Sequence, residues 1–156
     1  MRSDRSTAAR RPVSVWLLSV VLVILALGGL SGAWMFLTHT DGRGIGMQGA
    51  LTKLPVSNFV LPGVFLLLVM CFVPTLLVVG LLARPDWRWL DPLSRATGMH
   101  WSWVGTVALG VVIVIWLGVQ SLYMGFSAAA QYFTAALGLA IIAFALVPST
   151  RRAMRE

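Results

Sequence analysis

Two histidines, one cysteine and five acidic residues are the groups in this chain to which metal binding or acid–base catalysis would first fall. A histidine with a nucleophile and an orienting carboxylate would support acyl transfer, and paired carboxylates would support general acid–base hydrolysis. Three or four His, Cys or carboxylate ligands would hold a metal. None of these patterns is met. His39 lies near Asp41, but two ligands do not make a metal site. His100 stands some sixty residues away in the sequence and, by the topology below, at the opposite membrane face. One copy therefore cannot offer both histidines to one haem iron, and each reads as a surface histidine. Cys71 is alone, which excludes an internal disulfide and a redox pair, and its place in an apolar run makes it a small packing residue. No catalytic residue, metal or cofactor is expected.

Glycines 42, 44, 46 and 49 sit in the stretch from Thr38 to Gln48 and Gly49, a spacing reminiscent of a phosphate-cradling loop. No G-K-[ST] closes it and no strand–helix unit surrounds it, so tight turns are the better reading. The polar residues that remain are Asn58, Gln120, Ser121 and Gln131, each beside the end of an apolar run. On the topology below all four fall in the outer leaflet. Such side chains hydrogen-bond between helices, at about 1 kcal/mol each. The alternative is an outward-facing pocket for a lipid headgroup or polar solute, lined by these four with Asp41 and Arg43 from the outer loop.

The elements that must position these residues are membrane spans. The chain is 58% hydrophobic and 11% charged, against about a quarter charged for a soluble domain. Four runs, at 13–37, 59–83, 103–123 and 129–148, contain no Asp, Glu, Lys, Arg or His. Each is long enough to cross a hydrocarbon layer of about 30 Å as a helix, and lipid requires helices to satisfy the backbone. The alternation of a membrane barrel strand is absent. The expected fold is an all-α four-helix transmembrane bundle, with basic tails at 1–12 and 149–156.

Ten of the twelve basic residues fall in the N-terminal tail, the 84–95 loop and the C-terminal tail, and only Arg43 and Lys53 lie on the other side. This bias places both termini in the cytoplasm. It also accounts for the net charge of +7 without a nucleic-acid partner. The first run exceeds a signal-peptide core and lacks an A-x-A site, so it is expected to stay uncleaved. Trp16, Trp34, Trp87, Trp89, Trp101, Trp103, Tyr123, Phe126, Tyr132 and Phe133 occupy aromatic-belt positions, and the 84–93 loop is expected to lie along the inner headgroups.

Within the spans, Pro62 sits in a first turn where it costs little, whereas Pro74 lies deep in the second run and should kink it. Gly28 with Gly32, and Ala136 with Ala140, have the small-xxx-small spacing of close helix approach.

The stretch Ser57-x-Phe59-x-Leu61-Pro62-Gly63, preceded by an outer loop containing Gly46-Met47, has Gln120 and Tyr132-Phe133 further along. Together these resemble a hypothetical, uncharacterised family of small four-span inner-membrane proteins common in actinobacteria. The likeness covers roughly residues 28–148. It implies a bacterial plasma-membrane location and brings no activity or catalytic residues. With neutral spans and no reactive constellation, the expected function is that of a non-enzymatic accessory or structural protein binding other membrane proteins or lipids. The alternative is a small transporter or channel subunit acting as a homo-oligomer.

Overall fold

The computed structural model describes residues 11–43, 46–85, 87–125 and 129–155; the side chains of Gln48, Trp89, Asp91 and Met124 are not described. Arg2, Arg5, Arg10, Gly44, Asp86 and Phe126 fall outside this set.

Four helical spans are present: α1 (Val13–Thr38), a second span in three parts, α6 (Trp101–Met124) and α7 (Ala129–Leu146). The second span comprises α3 (Val60–Phe65), a π-helical turn (Leu66–Phe72) and α4 (Val73–Ala83). Shorter helices complete the chain: α2 (Gln48–Leu51) in the long loop, α5 (Asp91–Thr97) after a 3-10 turn at Arg88–Leu90, and α8 (Pro148–Ala153). All four spans are long and apolar enough to cross a membrane. At 1.5 Å per residue, the 26 residues of α1 measure about 39 Å and the 18 of α7 about 27 Å.

The spans form a ring in chain order. α1 packs against the second span and α7, and α6 packs against α4 and α7. The buried residues recur every three or four positions: Val15, Leu18, Leu22, Leu25, Gly29 and Ala33 on α1, and Thr106, Leu109, Ile113 and Leu117 on α6. That spacing is the seam of antiparallel helices in a bundle. The outward faces are as apolar as the inward ones, with Val20, Leu27, Ile115 and Leu139 all exposed. In water such a surface would be an aggregation hazard. In a bilayer it is the lipid-facing wall, and the protein is a multi-pass membrane protein.

Pro74 explains the π turn. Proline has no N–H, so the carbonyl four residues earlier loses its α-helical donor. The ladder shifts to i→i+5 just upstream, as the Val73 N–H to Leu68 carbonyl bond shows. The expected disruption is thus absorbed as a widened turn, which presents the Met70 backbone to α1. Gly29 receives it there: a Cβ at this position would lie 2.5 Å from the Met70 carbonyl carbon and oxygen. The close approach is therefore one residue from the expected face. Gly28 has nothing within 4 Å of a built Cβ, and Gly32 meets only the end of Leu66. On α7 the tight contact is likewise not at Ala136, which is exposed, but at Gly138 against Ile113.

At the end carrying both termini, the helix ends are tied together. Pro148 ends α7, leaving Val147 extended and the last carbonyls of the helix without intrahelical donors. Trp103 Nε1 donates to one of them, Ala145, at 2.7 Å. Trp101 Nε1 donates to the Pro85 carbonyl at 3.2 Å, and Arg11 donates to the Leu81 carbonyl in the last turn of α4. The 149–156 stretch, read as a tail, includes α8, which folds back under the bundle. Thr150 is buried and its hydroxyl donates to Ser14 Oγ at 2.8 Å, with Ser149 Oγ a further 2.8 Å from Ser14. The His100 N–H donates to the Met154 carbonyl at 2.8 Å, and Met99 forms an antiparallel bridge with Arg155.

Candidate functional site

Of the six polar residues singled out in the sequence, the structure brings two together. Gln120 on α6 and Gln131 on α7 both line a cavity of about 520 Å³ in the half of the bundle next to the 38–59 loop. A second cavity of about 330 Å³ lies beside it under the loop, and Gln120 lines that one too. Phe36, Met47 and Trp116 are also common to both, so the two spaces adjoin. Gln131 is only 5% exposed, and its Nε2 donates to the Gly125 carbonyl at 3.0 Å. That bond ties the first turn of α7 to the end of α6.

The other four residues find local partners. Asn58 Oδ1 accepts from the Val60 N–H at 3.1 Å, a turn contact at the start of α3. Ser121 Oγ donates to the Gly118 carbonyl of its own helix at 2.7 Å. Asp41 and Arg43 pair with each other at 3.3 Å on the exposed loop, and Asp41 Oδ1 also accepts from the Arg43 N–H. None of these four lines either cavity.

The cavity walls come mainly from residues whose types carry no chemistry. Phe65 and Trp116 stack with ring centroids 4.1 Å apart, and Phe36 stacks on Phe59 at 4.8 Å. Gly28, Gly29 and Gly32 thin α1 where it borders the larger cavity. Gly28 and Ser31 on α1, with Ala130 and Phe133 on α7, line it while remaining exposed. The cavity therefore opens sideways between α1 and α7, toward the lipid. Towards the other end it is stopped by Leu22, Leu25, Ile113 and Ile141, packed in one core. Volumes of this size with apolar walls and a few polar groups are typical of small-ligand sites. The small-xxx-small spacing on α1 was a visible signal for this region: it marks a thinned wall, with the closest helix approach one residue away at Gly29.

His100 is the main departure from the sequence reading. It is 2% exposed rather than at the surface. As N-cap of α6 it accepts from the Ser102 N–H, and its Nδ1 lies 2.7 Å from Ser102 Oγ. A histidine–serine pair invites comparison with a nucleophile and base, but Ser102 is fully buried beneath it and has no path to a substrate. The pair closes a helix end. Trp101, expected in the headgroup belt, is also buried, and its ring stacks on Trp87 at 5.0 Å. Among the described residues no group of three or more His, Cys, Asp or Glu could hold a metal.

The site thus offers an apolar chamber with two amide side chains and lateral access. In comparisons with known proteins, no family model, no curated protein and no solved structure matches this chain.

Proposed function

We propose that this protein is a non-enzymatic accessory protein of a bacterial plasma membrane that holds a lipid chain in its lateral cavity. The observation that carries this reading is the opening between α1 and α7, lined by Gly28, Ser31, Ala130 and Phe133. A chain entering there meets apolar walls, while the Gln120 and Gln131 amides offer hydrogen bonds to an ester or headgroup near the loop end. The arginine bias supports cytoplasmic termini, and on that orientation the cavity faces the outer leaflet. The packed core below it supports holding over conduction through a single copy. The resemblance to small four-span inner-membrane proteins supports the location.

The test is mass spectrometry of lipid retained through mild-detergent purification, comparing wild type with Gly28→Leu/Ala130→Trp. Both positions line the opening, and Gly28 has free space around it. Wild type should retain lipid stoichiometrically, and the double variant should lose at least about tenfold at unchanged membrane accumulation, as expected when a shaped apolar site is filled. Equal retention by both would refute the site. Recovery as a defined homo-oligomer that conducts solute would replace this reading with the transporter alternative.

A further inference from the structure

We infer that the surface formed by α5, α8 and the segment after α8 binds the headgroup of an anionic phospholipid, independently of the lateral cavity. In the sequence, the two tails and the 84–95 loop carry ten basic residues against four acidic ones. The fold concentrates part of that charge. The Met99–Arg155 bridge and the His100 N–H to Met154 carbonyl bond draw the C-terminal strap alongside the end of α5. Arg151 and Arg152 of α8 and Arg155 after it lie beside that end of α5; all three are exposed, as is Arg95 of α5, and Arg152 Nε donates to the Pro148 carbonyl at 3.3 Å.

The depth of this face identifies the partner. Trp101 and Trp103 bond to Pro85 and Ala145 where the apolar spans stop, so the arginines stand where hydrocarbon gives way to headgroups. Phosphate oxygens are available at that level, and the guanidinium fork matches them in a bidentate manner. The ring of apolar spans keeps the surface against a bilayer, which favours a membrane phosphate over a soluble polyanion. A phosphate held there would also tie down the strap, whose Met154 is buried with Met99 in one core.

The experiment is native mass spectrometry of the full chain from mixed micelles containing equal dioleoyl phosphatidylglycerol and dioleoyl phosphatidylcholine. Wild type should retain phosphatidylglycerol preferentially. Near a surface each basic residue changes anionic-lipid affinity by about fivefold. Arg151→Gln/Arg152→Gln should thus reduce the preference by about twenty-five-fold, and Arg151→Lys/Arg152→Lys, which keeps the charge but loses the fork, should reduce it less. Should the glutamine variant fail to fold, the wild-type preference must still fall when salt rises from about 50 mM to about 500 mM. No preference in wild type, a salt-independent one, or an unchanged one in a folded glutamine variant would overturn the inference. The cavity variant Gly28→Leu/Ala130→Trp should keep this preference, which separates the two sites.

Discussion

Gly29→Ala is the sharpest test of the packing. A methyl group there would sit 2.5 Å from the carbonyl carbon and oxygen of Met70 and 2.8 Å from its Cβ. Carbon atoms in good contact lie about 3.5–4.0 Å apart. The backbones of α1 and the π turn must therefore separate by about 1 Å, a gap that forfeits a quarter to a half of each contact's well. No flexible side chain can swing aside, because two of the three atoms met are backbone. The expected cost is at the upper end of the range for overpacking, about 2–3 kcal/mol. Gly28→Ala, one residue away with nothing within 4 Å, should stay within about 0.5 kcal/mol of wild type. The assay is reversible unfolding in mixed micelles on added SDS, monitored by tryptophan fluorescence. If Gly29→Ala unfolds with wild type, or Gly28→Ala is the worse of the two, the assigned helix face is wrong.

Other consequences can be measured in the same preparation. Trp103→Phe removes the donor to the Ala145 carbonyl and should cost about 1–2 kcal/mol in the same unfolding assay. Thr150→Val breaks the hydroxyl link to Ser14; it should cost about 0.6 kcal/mol and speed hydrogen exchange over residues 148–155, with unchanged exchange refuting a docked strap. Gln131→Leu should destabilise by about 1 kcal/mol through loss of its bond to the Gly125 carbonyl. Gln120→Leu should leave unfolding unaltered while lowering retained lipid, and the reverse pattern would make Gln120 a packing residue.

The four spans were legible because length and neutrality suffice to identify a bilayer-crossing helix, and the structure places them within two residues of the expected bounds at each end. The faces were not legible. Val15 is buried and Val20 exposed, yet lipid and core make the same demand on a valine. Gly28 and Gly29 are adjacent and chemically identical, so only the rotation of α1 decides which meets Met70. His100 and Trp101 have interfacial residue types, but orphaned groups at helix ends recruited them inward. The polar cluster was half legible. Gln120 and Gln131 have side chains long enough to reach a shared space, whereas Asn58 and Ser121 found backbone partners within three residues. A disruption of the second span was legible from the missing N–H of Pro74, although its form, a π turn from Leu66 to Phe72, was not.

The spans also differ in length, and that difference acts on the surrounding bilayer. α1 reaches about 39 Å and α7 about 27 Å, against a hydrocarbon thickness of about 30 Å. The longer helix must tilt, while the shorter one draws the leaflets together beside it or leans on flanking residues that snorkel. Each adjustment costs a fraction of a kcal/mol per Å of mismatch. The mismatch is therefore uneven around the ring, of opposite sign at α1 and α7, the two helices that flank the opening of the cavity. Lipids with shorter tails would gather beside α7, and a membrane of different thickness would alter which acyl chains reach the opening at all.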